Sequence, residues 1–138
     1  MQTYHGSCHC GAVTFEVDAD LSNLGDCNCS MCRKKGSVHH SVGEDRFRLL
    51  TGADTLRVYQ FNKKIAKHFF CPTCGIHTFS HPRTAPEKFN VNIRCLDDFD
   101  LRSADYKLAH SMAGTGNKPS RRAGRAARDI PAGLLGLN

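Results

Sequence analysis

The sequence contains no tryptophan, no apolar run longer than a handful of residues and few helix signals. The first absence removes the largest side chain that could anchor a core. The second excludes a membrane-spanning helix, which needs about 20 apolar residues. The N-terminal Met1-Gln2-Thr3-Tyr4-His5-Gly6 places no basic residue ahead of an apolar stretch, so it does not read as a secretory leader. A cytoplasmic protein that uses no membrane is expected. The 138 residues favour one domain, and 40 % hydrophobic with 23 % charged residues is a globular composition.

Against these absences stand eight cysteines, eight histidines and a formal charge of +6. The cytoplasm keeps thiols reduced, so a cysteine framework there points to metal binding or catalysis rather than disulfides. Cys8/Cys10 and Cys27/Cys29 are each separated by a single residue, a spacing awkward for a disulfide and suited to two sulfurs meeting at one ion.

Between the cysteines the pattern is one of short strands. Val13, Phe15 and Val17 alternate with Thr14 and Glu16, the period-2 signature of a half-buried strand over 12–18. Similar strands are predicted over 37–42, 46–50, 56–61, 67–70, 76–79 and 89–96, with Gly43, Gly52, Asn62 and the Pro82–Pro86 segment as turns. One short helix is predicted over 30–35, with Ser30 as its N-cap. The fold class is therefore mainly β. Residues 1–110 are read as a zinc-binding domain, and 111–138 as a C-terminal tail rich in glycine and arginine that ends in Leu134, Leu135 and Leu137.

Seven cysteines fall into three clusters: Cys8-His9-Cys10-Gly11, Cys27-Asn28-Cys29-Ser30-Met31-Cys32 and Cys71-Pro72-Thr73-Cys74-Gly75. Structural zinc takes four ligands, commonly two sulfur pairs distant in sequence, and Cys8, Cys10, Cys71 and Cys74 make one closed set. If Cys8 and Cys10 lie in a strand, residues i and i+2 face the same way and converge. The middle cluster has three sulfurs and no second pair. Three protein ligands and an exchangeable fourth position is the pattern of catalytic zinc, able to bind an incoming thiol and hold it as thiolate. Arg33, Lys34, Lys35 and the helix start favour thiolates there. Cys95 or a histidine in the fourth position would instead close the site. On its predicted strand Cys95 shares a face with Val91 and Ile93 and reads as a buried thiol, while His77 and His81 are placed to line a pocket or carry protons. His9, between two ligands, should point away from their metal.

Four segments in order, Gly6-Ser7-Cys8-His9-Cys10-Gly11-Ala12-Val13-Thr14-Phe15, Cys27-Asn28-Cys29-Ser30-Met31-Cys32-Arg33-Lys34, Phe70-Cys71-Pro72-Thr73-Cys74-Gly75 and Asn92-Ile93-Arg94-Cys95-Leu96-Asp97-Asp98, resemble the glutathione-dependent formaldehyde-activating enzyme family, which includes centromere protein V-like proteins. The resemblance covers about residues 5–100. It implies an Mss4-like fold, or β-tent, of several coiled antiparallel sheets organised around zinc. It also implies a structural zinc on Cys8, Cys10, Cys71 and Cys74 and a second zinc on Cys27, Cys29 and Cys32, which would carry the catalysis. The implied activity is that of a carbon–sulfur lyase joining formaldehyde to glutathione as S-(hydroxymethyl)glutathione. Its partners would be a small thiol and an aldehyde. None of the motifs names a proton donor.

The other class of function weighed is a zinc-stabilised module without catalysis that uses its basic tail on nucleic acid or protein. Here the charge is informative. Residues 118–129 hold five basic residues and one acidic, while residues 1–110 hold fourteen Lys or Arg against twelve Asp or Glu. Two zinc ions bound by seven thiolates would bring the domain close to neutrality. The basic excess belongs to the tail, so nucleic acid is expected to be bound only through it.

Overall fold

The computed structural model of the protein describes residues 1–111, and the rest of the expected tail, 112–138, lies outside the described residues. In chain order the elements are β1 (Gln2–Ser7), β2 (Thr14–Ala19), β3 (Asn23–Cys27), α1 (Ser30–Lys35), β4 (Val38–Val42), a 3₁₀ turn at Glu44–Arg46, β5 (Phe47–Thr51), β6 (Arg57–Tyr59), β7 (Lys67–Phe70), β8 (His77–His81), β9 (Phe89–Asn92), a 3₁₀ turn at Ile93–Cys95, and β10 (Lys107–Ser111). The fold is mainly β, as expected. A three-stranded antiparallel sheet has the order β1-β2-β5, and a seven-stranded sheet has the order β10-β3-β4-β9-β8-β7-β6. The larger sheet is mixed, because β10 runs parallel to β3.

Alternation on β2 buries Phe15, Val17 and Ala19 and leaves Thr14, Glu16 and Asp18 half-covered. The outer face carries an ion cluster in which Arg48 donates to Asp18 (2.7 Å) and to Glu16 (3.1 Å). Between the sheets a run of phenylalanines occupies the volume that tryptophan would otherwise fill. Phe47 lies 5.5 Å from Phe15, 4.8 Å from Phe79 and 4.4 Å from Phe89 between ring centroids. These offset contacts add to the apolar area buried by Leu24, Val91 and Ile93.

Two expectations need correction. The strand predicted over 89–96 ends at Asn92, whose side chain accepts from the Arg94 N–H and caps a 3₁₀ turn that holds Cys95. An Asx cap satisfies the backbone there at the cost of the ladder. Residues 8–13 are also not strand. They form the turn of the β1–β2 hairpin, with Gly11 at φ 78° and its N–H donating to Cys8 O (3.1 Å), so a tight turn rather than strand alternation brings Cys8 and Cys10 together.

Candidate metal centres and an adjoining polar cluster

Cys71 and Cys74 occupy the turn of the β7–β8 hairpin, which is built like the first. Gly75 takes φ 76°, its N–H donates to Cys71 O (2.8 Å), and the Cys71 N–H donates to Ile76 O (3.0 Å). The two hairpin ends meet. Cys8 Sγ is 3.6 Å from Cys10 Sγ, and Cys10 Sγ is 3.7 Å from Cys71 Sγ. All four sulfurs lie within 4.8 Å of one another. A tetrahedron with Zn–S bonds of 2.3 Å has edges of about 3.8 Å, so this donor set fits a zinc-sized ion without rearrangement. Cys8, Cys71 and Val13 are buried with Leu49 and Leu56 packed against them, while Cys74 is half-buried and Cys10 exposed, so the set is rooted in a small apolar cluster and opens toward the surface at Cys10. The Val13 N–H donates to Cys8 Sγ (3.3 Å), which fixes the position of that sulfur.

The second cluster lies where β3 gives way to α1. Cys27 ends the strand, Cys29 caps the helix and Cys32 sits in its first turn. The cap differs from expectation: the thiol of Cys29, not the hydroxyl of Ser30, accepts the Cys32 N–H (3.2 Å). The Cys29 N–H in turn donates to Cys27 Sγ (3.4 Å). The three sulfurs lie within 4.8 Å of one another, and among the described residues no His, Cys, Asp or Glu joins them as a fourth. Burial pushes the Cys29 thiol up, but the Cys32 and Met31 N–H groups and the neighbouring thiols outweigh it, so the net shift is downward. Cys32 is pushed up to about 12, chiefly by burial; the Lys35 charge opposes the rise, while Cys29 and Cys27 add to it. Three thiolates in so small and sheltered a space need a cation at their centre, and soft sulfur donors select a soft one. Cys95 is not that fourth donor. It is buried, hydrogen-bonded to His77 O (3.3 Å) and pushed up to about 12 by burial, as an inert thiol should be.

Beside this cluster lies a group that the sequence did not single out. Half-buried Lys35 crosses from the end of α1 to the larger sheet, where its Nζ donates to His68 Nδ1 (3.1 Å) and His77 Nε2 (3.0 Å). His77 Nδ1–H donates to Phe69 O (2.9 Å), which fixes the tautomer and leaves Nε2 as the acceptor. Burial lowers the pKa of Lys35, and Cys32, Cys29 and Cys27 oppose that shift electrostatically. Burial and the Lys35 charge hold His68 at about 4 and His77 at about 3. His77, expected to line a pocket or carry protons, is held between Lys35 and the Phe69 carbonyl, and Lys35 and His68 complete the group. His81 instead donates to Lys88 O (2.9 Å), and His9 is exposed.

A family model for the glutathione-dependent formaldehyde-activating enzyme matches residues 3–112. The chain belongs to that family. A solved crystal structure of a Rhodobacter sphaeroides protein is similar over 76 % of this chain and 99 % of its own, at 36 % identity and a TM-score of 0.70. Two cysteine clusters that could each hold a metal ion are therefore set in a formaldehyde-activating-enzyme domain. The Lys35–His68–His77 cluster escaped the sequence reading because its members come from three separate segments. The one available signal was that Lys35 stands three residues after Cys32, on the same face of a short helix.

Proposed function

We propose that this family member binds zinc at both clusters and uses the three-cysteine site to add a small thiol such as glutathione to an aldehyde such as formaldehyde, a carbon–sulfur lyase reaction run in the bond-forming direction. The observation that carries this reading is the contrast between the sites. Four sulfurs close around one position where the two hairpin turns meet, whereas among the described residues only Cys27, Cys29 and Cys32 gather at the other, which would leave a fourth coordination position for an incoming ligand. A zinc ion bound there would lower the pKa of that thiol and keep it as thiolate at neutral pH.

The remaining work falls to the chain. Backbone N–H groups hold Cys27 and Cys29 in place. Ser30, Met31, Lys34, Tyr59 and Phe61 line a cleft of about 90 Å³ beside the same helix, with room for part of a bound thiol and with Lys34 in its lining to partner a carboxylate. The substrate thiolate then adds to the aldehyde carbon: the C–S bond forms and the carbonyl π pair moves to oxygen. This chemistry suits the reducing cytoplasm. The catalytic unit would be residues 1–110, with 111–138 as an appendage.

The test is exchange spectroscopy of glutathione and formaldehyde with the zinc-loaded protein. Accelerated formation of S-(hydroxymethyl)glutathione that disappears in Cys27→Ser while the fold persists supports the proposal. No acceleration by the wild type with any small thiol and aldehyde refutes it.

A further inference from the structure

We infer that Lys35, clamped by His68 and His77, receives the aldehyde oxygen: its ammonium binds the oxyanion formed as the thiolate adds to the carbonyl carbon and gives it the proton that makes it a hydroxyl. This rests on the thiol-addition reading of the three-cysteine site and supplies the proton donor that the cysteine motifs leave unassigned.

Three observations lead to it. A partly buried ammonium is ordinarily matched to a carboxylate, yet among the described residues Lys35 has no acidic partner; its bonds go to two imidazole nitrogens, and the negative charge acting on it comes from Cys27, Cys29 and Cys32. Two of its three N–H donors are used on the histidines, and the third has no hydrogen-bond partner among the described residues. Finally, His68 accepts from Lys35 at Nδ1, so Nε2 carries the ring proton, and this buried N–H also has no partner among the described residues. A residue only 6 % exposed does not ordinarily leave a donor unsatisfied, and such a group invites an acceptor oxygen from outside the chain. Phe61 stacks on the His68 ring (5.7 Å between centroids), and the Phe69 carbonyl holds His77, so both act as positioning residues that aim Lys35.

The proton count closes. The thiol loses its proton to solvent on binding, the adduct oxygen takes one from Nζ, and Lys35 regains one from solvent. No net proton and no redox partner is required.

The experiment uses the full-length zinc-loaded protein and Lys35→Gln, which keeps an amide donor for the histidines but removes the charge. Glutathione affinity is expected to stay within about threefold of wild type while the rate of adduct formation falls about 10²- to 10³-fold, as for loss of an oxyanion donor. Should that variant fail to fold, the wild type decides. With 15N-labelled histidine, the His68 Nε2 resonance should shift with S-(hydroxymethyl)glutathione and not with S-methylglutathione, which lacks the oxygen. An undiminished rate in folded Lys35→Gln, or identical shifts with the two adducts, overturns the assignment of Lys35 while leaving thiol binding intact. Absence of glutathione binding to the wild type refutes the thiol-addition reading and this inference with it.

Discussion

Mild acid should destabilise this protein through two histidines that touch no sulfur ligand. The fold holds His77 at about 3 and His68 at about 4, both by burial first and the Lys35 charge second, against about 6.5 in an unfolded chain. Below pH 6.5 the unfolded state takes up a proton on each ring and the folded state does not. Stability therefore rises with pH across this window and is lost as pH falls from 6.5 toward 4. Each ring contributes at most about 1.4 kcal/mol per pH unit, so the pair accounts for at most about 4 kcal/mol between pH 7 and pH 5. That is a large share of the 5–15 kcal/mol typical of a domain. Urea unfolding at several pH values measures it. Because acid also protonates metal-bound thiolates, the decisive comparison is with a His68→Gln/His77→Gln double variant, whose metal ligands are unchanged. The wild type should show the steeper decline, by about 2–3 kcal/mol per pH unit near pH 5.5. Equal slopes would mean that the rings are protonated in the folded state, and the account of Lys35 as a cation clamped by two neutral imidazoles would fail.

Further outcomes follow from the same packing. Cys71→Ser should unfold the domain and Cys27→Ser should not, because Cys71 is buried where the two hairpins meet and structural zinc supplies about 10–16 kcal/mol in small zinc domains; circular dichroism and metal analysis of the two variants decide this, and equal unfolding of both would make the three-cysteine site structural. Gly6→Ala should destabilise by about 1–3 kcal/mol, since its Cβ would lie 2.3 Å from the fully buried ring of Phe15; a neutral result in urea unfolding would contradict the close approach of β1 to that ring. Chelation of wild-type protein should release metal in two phases, the faster from the three-cysteine site, with loss of fold only in the second.

The strands with a periodic apolar face were legible. The alternation around Phe15 and Val17 located β2, and short β-rich runs bounded by glycine or proline located β4 to β8. Of the strands that escaped, β1 and β3 share a cause. β1 turns Tyr4 and Gly6 inward, and β3 places Leu24 inward beside a Gly25 that packs under His39. A glycine kept small by a ring above it leaves no trace in hydrophobic periodicity. β10 pairs in parallel with β3 across most of the chain, a contact that no local pattern encodes. The site divides in the same way. Cysteine spacing located both clusters, because ligand geometry is imposed over a few residues, whereas the union of Lys35, His68 and His77 is a product of sheet order.

The central claim is that one metal position is closed and the other open to a thiol. 113Cd NMR of the cadmium-substituted protein resolves the two sites separately, because the shift reports how many thiolates surround each ion. Two signals are expected, one from four thiolates and one from three. Addition of glutathione should move only the second to the four-thiolate position. Two four-thiolate signals before glutathione is added, or a second signal indifferent to it, would contradict the account.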